Sequence, residues 1–359
     1  MNSTTAETRD TIIDFGERVL ITGSAGFLGT RVVAGLLDRG FQNLCCFARQ
    51  SSDVARLEEL AGRHRDARVD ILRGNLLSRE DCEMAARDAA VIYHLAAGMG
   101  EKSFPEAFMN TVVTTRNLLD AVLGHGSLKR FVSMSSFSVY TNRHKGRDGV
   151  LDESCPIEVQ PILRGEAYCF AKVKQDALVI EYGQKHAIPY VLVRPGAVYG
   201  PGADGITGRV GSGAFGIFLH LGGNNRIPFT YVDNCADAII LAGIRSGIEG
   251  EVFNVVDDDL PTSRDFLRLY KRHVKRFRSI PVPRVASYLL CSAWEKYSVW
   301  SEGQLPPVFN RYAWHAYWKG SRYTNAKAKV RLGWTPRVTT AEGLRRYFES
   351  CRARDTHAA

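Results

Sequence analysis

The stretch RVLITGSAGFLG, residues 18–29, decides the fold that this sequence predicts. Its first five residues have the apolar, β-branched character of a buried strand, and helical periodicity runs from Gly26 to Asp38. Gly23 allows a sharp turn, Gly26 lets the backbone approach a pyrophosphate, and Gly29 lets the helix pack closely on the strand. Three spaced glycines can also form a plain turn. The strand before them and the helix after them favour a turn that binds a dinucleotide at a helix N-terminus.

Strand-like and helix-like segments alternate through the first 200 residues. Such alternation predicts a parallel sheet with helices on both faces, and right-handed crossovers make it a doubly wound α/β sheet. The predicted strands are 18–22, 44–48, 69–73, 90–95, 131–135 and 190–194. The predicted helices between them are 26–38, 53–61, 79–87, 104–123 and 168–186.

A different composition begins after residue 200. Residues 202–223 are rich in glycine, and residues 280–318 are rich in proline and aromatic side chains. We therefore expect a smaller C-terminal lobe over the carboxyl edge of the sheet, with helices at 233–245 and 339–352 that return to the main body. The predicted organisation is a flexible N-terminus at 1–15, a dinucleotide-binding domain of the Rossmann type at 16–200, and a substrate-binding lobe at 201–350.

Composition and charge narrow the class of protein. No apolar run reaches the roughly 18 residues that a membrane-spanning helix needs, and the polar N-terminus predicts a cytoplasmic location. The eight cysteines have no ligand-like spacing, so we expect reduced thiols and no metal site. The net charge is +9, with a basic run at 271–278. Such a run can bind nucleic acid or an acidic membrane, but without a nucleic-acid motif the solvated helix face is favoured and no nucleic-acid partner is expected.

Tyr168 and Lys172 lie one helical turn apart, on one face of a predicted helix. A phenol has a pKa near 10, and a nearby ammonium together with a positively charged nicotinamide stabilises the phenolate and lowers that pKa. The pair therefore predicts proton transfer by a phenol beside a nicotinamide cofactor. The segment SMSS, residues 133–136, ends a strand upstream, and a hydroxyl there can orient the substrate oxygen.

The end of the second strand bears on which dinucleotide is bound. An acidic residue there would hydrogen-bond the ribose 2′-hydroxyl of NAD. The chain instead reads Arg49-Gln50-Ser51-Ser52. Arg49 can bind a 2′-phosphate, with either serine as a further donor, although it can also be a solvated arginine. The sequence favours NADP, with NAD as the alternative.

With these residues assembled, the chain resembles the extended short-chain dehydrogenase/reductase superfamily over roughly residues 18–348. That superfamily contains nucleotide-sugar epimerases and dehydratases as well as 3β-hydroxysteroid dehydrogenases. Asn75 stands where the superfamily usually has aspartate, and Val113 and Thr141 stand where it usually has glycine. The matching segments are 22–29 (TGxxGxxG), 75–76, 94–97 (HxAA), 110–114 (NxxGT), 194–202 along the nicotinamide and 231–234 (YVDD).

The resemblance implies roles for single residues. Tyr168 is the acid/base, and Lys172 tunes it and holds the nicotinamide ribose. Ser136, four residues before Tyr140, orients the substrate oxygen, and Asn110 positions a proton-relay water. The residues implied to bind the cofactor are Gly23, Gly26, Phe27, Leu28, Gly29, Arg49, Asn75, Leu76, Leu95, Ala96, Ala97, Tyr168, Lys172, Pro195 and Val198.

Three functions are consistent with these features. The favoured one is an oxidoreductase that interconverts a secondary alcohol and a ketone on a small ring-containing metabolite, as 3β-hydroxysteroid dehydrogenase-like members do. The second is a nucleotide-sugar epimerase, dehydratase or reductase that uses the same residues. The least favoured is a non-catalytic dinucleotide sensor, which would not need the Ser/Tyr/Lys set. The superfamily often dimerises through helices such as 104–123 and 168–186, so a homodimer is possible.

Two segments bear on the substrate. Nucleotide-sugar members usually place an arginine four residues before the tyrosine of YVDD, but that position is Ile227 here, next to Arg226. The apolar residues of 281–300 recur at helical spacing, so this helix can line the pocket, rest weakly on a membrane surface or simply pack on the lobe. The aromatic and basic cluster at 311–318 is predicted to pack the lobe against the main body.

Overall fold

The computed structural model describes residues 11–98, 100, 103–143, 145–146, 149–203, 205–214, 216–302, 304 and 309–357. Most of the predicted flexible N-terminus therefore lies outside the described residues. Its last part is docked, because the backbone N–H of Ile12 donates to the carbonyl of Ile244 at 2.9 Å and Ile13 is buried.

The described residues form alternating strands and helices. The strands are β1 (Val19–Thr22), β2 (Asn43–Ala48), β3 (Arg68–Arg73), β4 (Val91–His94), β5 (Arg130–Met134), β6 (Val150–Leu151), β7 (Tyr190–Pro195), β8 (Ala197–Tyr199), β9 (Gly211–Ala214), β10 (Ile217–His220), β11 (Phe229–Tyr231), β12 (Val252–Val255), β13 (Ser279–Pro281) and β14 (Arg322–Tyr323). The α-helices are α1 (Gly29–Asp38), α2 (Ala55–Arg63), α3 (Arg79–Ala86), α4 (Phe104–Phe108), α5 (Thr114–Leu123), α6 (Ala167–His186), α7 (Val232–Ile244), α8 (Ser263–His273), α9 (Arg284–Trp300), α10 (Arg311–Tyr317) and α11 (Thr340–His357).

The central sheet has seven parallel strands in the order β12-β7-β5-β4-β1-β2-β3. The chain winds outward from β1 to β3 and then returns to β4, so the direction of winding reverses between β1 and β4. This order confirms the predicted doubly wound α/β class. Ligands of such sheets bind beyond the carboxyl ends of the strands at that reversal, which here is where the glycine turn follows β1.

Two apolar layers hold the helices against the sheet. Successive side chains of a strand point to opposite faces, so Leu20 and Cys45 face one layer while Ile21 and Cys46 face the other. The layer that contains Leu20 and Cys45 packs on α3, α5 and α6. The layer that contains Ile21 and Cys46 packs on α1 and α7. The eight cysteines are free and buried, in agreement with the reduced thiols expected from the sequence.

The structure adds features that the sequence reading did not contain. The helix predicted at 104–123 is interrupted by a π-helical segment, Met109–Val113, between α4 and α5. Strand β12 extends the main sheet beside β7 although it follows residue 200, whereas α7, which also lies on that sheet, corresponds to the helix expected at 233–245 to return to the main body. The remaining lobe contains the three-stranded sheet β13-β10-β9 together with α9 and α10. Within the described part of the chain, no helix is both long and apolar enough to cross a membrane.

Candidate active site

A cleft of about 660 Å³ lies at the carboxyl edge of the sheet, between the glycine turn and the C-terminal lobe. All the predicted site residues line it, so the fold brings together residues that are up to 175 positions apart in the chain, from Gly23 to Val198. Their individual roles stay predictions. The lining residues include Gly23, Gly26, Phe27, Leu28, Gly29, Arg49, Asn75, Leu76, Leu95, Ala96, Ala97, Asn110, Ser136, Tyr168, Lys172, Pro195 and Val198.

The glycine turn forms a backbone cradle at the start of α1. Gly23 has φ +67°, and a Cβ there would lie 2.9 Å from the backbone nitrogen of Ala96. A Cβ on Gly29 would lie 2.1 Å from the carbonyl oxygen of Gly23, so both positions exclude side chains. Helix α1 begins at Gly29 and not at Gly26 as predicted, since residues 26–28 are still part of the turn. Backbone in close reach beside a helix N-terminus fits a pyrophosphate.

The loop after β2 is fixed by an arginine that the sequence reading missed. Nη1 of Arg73, at the end of β3, donates to the carbonyls of Arg49 (3.3 Å), Gln50 (2.8 Å) and Ser52 (3.2 Å). This leaves the exposed side chain of Arg49 at the rim of the cleft. Asn75 uses its side-chain oxygen to accept from the backbone N–H of Leu77 at 3.0 Å, which shapes the neighbouring turn.

The hydroxyl of Tyr168, in the first turn of α6, is close enough to the side chain of Ser136 for that side chain to lower its pKa. Ser136 also accepts from the backbone N–H of Ser138 at 3.1 Å, which caps the 3₁₀ turn Phe137–Val139. Burial raises the pKa of Tyr168 to about 12, and the interaction with Ser136 opposes this only partly. The sequence predicts a pKa that is lowered by Lys172 together with the positive charge of a nicotinamide; in the protein itself burial dominates, because the Lys172 ammonium is turned toward other acceptors.

Lys172 is almost completely buried, with 2% of its surface exposed. Its Nζ donates to the carbonyl of Met134 at 2.5 Å and to Oε1 of Gln175 at 2.9 Å, and lies 5.9 Å from the centre of the Tyr168 ring. Burial lowers the pKa of Lys172 to about 8, while Asp176 acts in the opposite direction. Gln175 is a second positioning residue that the sequence reading missed.

A buried polar chain connects Lys172 to the strand that precedes the glycine turn. Nε2 of Gln175 donates to Oγ1 of Thr115 at 2.8 Å, and Thr115 donates to the carbonyl of Thr111 at 2.5 Å. The Thr115 hydroxyl therefore accepts from Nε2 of His94, 2.8 Å away, and Nδ1 of His94 accepts from Oγ1 of Thr22, also at 2.8 Å. Burial lowers the pKa of His94 to about 3, so the ring is neutral and serves as a structural link.

The floor of the site is an ion pair. Asp176, one turn after Lys172, accepts from Nε (3.1 Å) and Nη2 (2.9 Å) of Arg194 and from the hydroxyl of Ser135 at 2.8 Å. Burial raises the pKa of Asp176, and Arg194 opposes that shift. Because Ser135 precedes Ser136, this pair fixes the end of β5 against α6 and β7. Asn110 enters the cleft from the π-helical segment, a distortion that often occurs at functional sites.

The far end of the cleft is lined by residues that the sequence reading did not assign to the site. They include Phe137, Thr207, Arg209 and Tyr317. Tyr317 belongs to the cluster that was predicted to be a packing surface, and its hydroxyl donates to Oε2 of Glu166 at 2.7 Å. No signal in one sequence indicates this convergence, because Arg209 and Tyr317 are 108 positions apart and meet only through the fold.

The chain belongs to the NAD-dependent epimerase/dehydratase family, whose family model matches residues 19–255. The match confirms the superfamily resemblance, and the chain is therefore an enzyme, not a non-catalytic sensor. Among the described residues, no group of three or more His, Cys, Asp or Glu side chains could hold a metal ion.

Relatives within this family differ in substrate. Sterol-4-alpha-carboxylate 3-dehydrogenase (decarboxylating) from Saccharomyces cerevisiae is 29% identical, with 91% of this chain and 96% of that protein covered. The 2-alkyl-3-oxoalkanoate reductase of Stenotrophomonas maltophilia is 24% identical over 94% of this chain and 100% of that protein. The structure of UDP-glucuronic acid 4-epimerase from Bacillus cereus with UDP-glucuronic acid and NAD superposes with a TM-score of 0.69 at 20% identity, covering 94% of this chain and 99% of that one.

Proposed function

We propose that this enzyme is an NADP-preferring oxidoreductase that interconverts a secondary alcohol and a ketone on a ring-containing metabolite. The observation that carries the proposal is that Ser136, Tyr168 and Lys172 line the same cleft as the glycine turn. A nicotinamide dinucleotide held by that turn and by the loop of Arg49 would supply the hydride acceptor or donor. The protein then has to orient the substrate oxygen and move one proton.

The paired hydroxyls of Ser136 and Tyr168 perform that proton step. Because the two side chains interact and line the same cleft, both can address a single substrate oxygen. The raised pKa keeps the phenol protonated at neutral pH, which is the form that donates a proton to a ketone oxygen during reduction. In the oxidation direction the phenolate accepts the proton of the alcohol, and the positive charge of Lys172 stabilises that phenolate.

The preference for NADP rests on the charge of the loop after β2. Arg49, Ser51 and Ser52 line the cleft, and within the described residues no aspartate or glutamate does so. A guanidinium with neighbouring hydroxyls suits a 2′-phosphate, whereas a ribose 2′-hydroxyl is usually bound by a carboxylate. Titration of the purified enzyme with NADPH and NADH should give the lower dissociation constant for NADPH. Equal constants would contradict the preference.

Two observations support a substrate other than a sugar nucleotide. Ile227 is 1% exposed in the apolar core of the lobe, and Arg226 lines a separate depression with Asp258 and Arg322. Arg226 would have to lie in the cleft to bind a sugar pyrophosphate, but it lies outside the cleft. Two relatives that are covered over nearly their whole length are named for a sterol-4-alpha-carboxylate acted on at position 3 and for a 2-alkyl-3-oxoalkanoate, and neither name contains a sugar nucleotide.

A nucleotide-sugar epimerase with the same residues is the alternative, and its cofactor is regenerated within each turnover. The two functions are separated by mass spectrometry of the small molecules released from the denatured purified enzyme, followed by turnover assays. Our proposal predicts stoichiometric reduction of added NADP by an alcohol substrate. Tightly bound NAD, a co-purified sugar nucleotide and turnover without net cofactor consumption would contradict it.

A homodimer is also proposed, through the outer side of α4, α5 and α6. Phe104 and Phe108 already pack on Phe170 within one chain, while Met109, in the π-helical segment between α4 and α5, and Leu123, at the end of α5, stay exposed. Light scattering of the wild type and of Met109→Glu measures the molar mass of each protein in solution and so its oligomeric state. A monomeric wild type would contradict the proposal.

A further inference from the structure

Arg209 is a cation of the C-terminal lobe that lines the cleft beside Tyr317. It lies just before β9, in the glycine-rich stretch of the lobe. Its Nη1 donates to the carbonyl of Ala316 at 3.2 Å and to the hydroxyl of Tyr323 at 3.4 Å, and its guanidinium lies 5.1 Å from the centre of the Tyr317 ring. These contacts engage one nitrogen and one face of the guanidinium, and the side chain stays only half-buried.

The backbone around Arg209 is held in place by the lobe. The indole Nε1 of Trp318 donates to the carbonyl of Gly208 at 3.0 Å. The carbonyl of Val210 accepts from the backbone N–H groups of Leu221 and Gly222, both at 3.0 Å. Arg209 is therefore presented by a rigid loop, and little side-chain and backbone entropy remains to be lost when it binds a partner.

The charge of Arg209 has no acidic counterpart within the described residues. A second arginine, Arg164, lies on Tyr317 at 5.1 Å, but its Nε is 3.4 Å from Glu166. Glu166 also accepts from the Tyr317 hydroxyl, so its carboxylate is committed to these two groups. Among the described ion pairs, none includes Arg209, and no described carboxylate lines the cleft. A partly buried cation of this kind favours an anionic group on the substrate.

We infer that Arg209 binds a carboxylate of the substrate, which makes the substrate a hydroxy acid or an oxo acid, and the names of two relatives favour the 3-position for its oxygen. The inference rests on the proposed alcohol–ketone function. Tyr317 and Glu166 connect Arg209 to the first turn of α6, where Tyr168 lies, so the anion and the reacting oxygen share one end of the cleft. Apart from Lys172, Arg209 is the one arginine or lysine among the described residues that line that end of the cleft. A single arginine suits one negative charge better than the two charges of a pyrophosphate.

The test compares oxidation of 2-hydroxycyclohexane-1-carboxylate and of its methyl ester with NADP. The enzymes are wild type, Arg209→Gln, Arg209→Lys and the control Arg226→Gln, an exposed arginine of the same lobe outside the cleft. Wild type should prefer the acid by about 10- to 100-fold in kcat/KM, mainly through KM, as expected for a charged hydrogen bond. Arg209→Gln should lose the preference, Arg209→Lys should retain part of it, and Arg226→Gln should behave as wild type.

Calorimetric titration of the NADP-loaded enzymes with the acid and with UDP provides a readout without turnover. The acid should bind wild type and bind Arg209→Gln about 10- to 100-fold more weakly. Retention of the acid preference in Arg209→Gln, or Arg209-dependent binding of UDP in place of the acid, would overturn the carboxylate assignment. Equal, Tyr168-dependent oxidation of acid and ester would also overturn it but leave the proposed function intact. Acid binding that depends on Arg209 without oxidation of any alcohol would instead overturn the proposed function.

A separate observation concerns α9, where Tyr288 and Trp294 pack on the lobe but most of the other large apolar side chains are exposed. Val285 is 72% exposed, Leu289 60% and Trp300 76%, while its buried positions are the small residues Ser287, Cys291 and Ser298. The distribution is the reverse of a helix that packs its apolar face on a core. Along the chain, α9 comes directly after the basic run at 271–278 and β13. Its exposed apolar side chains are called the outward face of α9.

We propose that the outward face of α9 docks on an anionic membrane surface. The basic run and the exposed Lys296 supply the positive charge, and the acidic Glu295 is neutralised by Arg311 at 2.9 Å. Apolar side chains next to lysine and arginine are the combination that places a helix in the membrane interface. The same contact would bring the cleft close to an apolar metabolite dissolved in that membrane.

Co-sedimentation of the full chain with phosphatidylcholine vesicles, with and without phosphatidylglycerol, tests this contact. Wild type should bind only the vesicles with phosphatidylglycerol and be released by salt. Leu289→Glu should lose binding, whereas Val330→Glu, at an 81% exposed position elsewhere, should keep it. No binding by wild type, or equal loss in both variants, would overturn the proposal. Conversion of a dimer to a monomer by Leu289→Glu would show that a second copy covers this face.

Discussion

The buried ammonium of Lys172 should destabilise the folded protein in a way that depends on pH. Its pKa falls from 10.5 to about 8 on folding, which corresponds to a cost of about 3 kcal/mol when the group is protonated in both states. Between these two pKa values the unfolded chain binds more protons than the folded one, so the free energy of unfolding rises with pH. The slope is about 1.4 kcal/mol per pH unit, which gives a gain of about 2 kcal/mol between pH 7 and pH 9.5.

The assay is urea unfolding of wild type and Lys172→Met, followed by circular dichroism at several pH values. Because other groups titrate equally in both proteins, the difference between them isolates Lys172. Wild type should gain about 2 kcal/mol relative to Lys172→Met over that window. Lys174→Met, at an exposed position of the same helix, should follow wild type. Parallel pH profiles for wild type and Lys172→Met would refute the account of Lys172 as a buried cation.

Three further predictions concern the frame of the site. Thr115→Val removes the hydroxyl that accepts from two buried N–H donors, so the free energy of unfolding should fall by about 2–4 kcal/mol in urea titrations; a loss below about 0.5 kcal/mol would contradict the hydrogen-bond chain. Gly29→Ala should lower the free energy of unfolding by about 1–3 kcal/mol and weaken dinucleotide binding, because its Cβ meets the backbone of Gly23. Gly62→Ala, with open space around the added Cβ, should do neither, and equal melting temperatures for the two variants would contradict this. Arg49→Gln should raise the dissociation constant for NADPH about 10-fold or more with little change for NADH, and a parallel change in both constants would contradict the role in 2′-phosphate binding.

The sequence was sufficient for the parts of the fold that local pattern determines. Each predicted strand of the first 200 residues is present within two residues of its predicted bounds, because short runs rich in β-branched and apolar residues between turn residues are typical of the strands of a parallel sheet. The glycine turn was predictable for the same reason. Its spacing is a backbone requirement, and the Cβ distances at Gly23 and Gly29 show that requirement directly.

The substrate end of the cleft was not predictable in this way. Arg209, Tyr317 and Glu166 come from three separate elements and meet only after the lobe has packed on the sheet. The same holds for Gln175, which looks like an ordinary polar helix residue until Thr115 and Lys172 are placed beside it. The π-helical segment at Met109–Val113 was also missed, because hydrophobic periodicity does not distinguish one inserted residue from a continuous helix.

The most direct test of the central claim is the turnover of Tyr168→Phe. This substitution removes one hydroxyl and keeps the ring, so the NADP dissociation constant should stay within about twofold of wild type. Nicotinamide reduction with the alcohol that wild type oxidises fastest should fall by about 100- to 10,000-fold, the usual contribution of a positioned general acid or base. Turnover within about 10-fold of wild type would contradict the assignment of Tyr168 as the group that moves the proton.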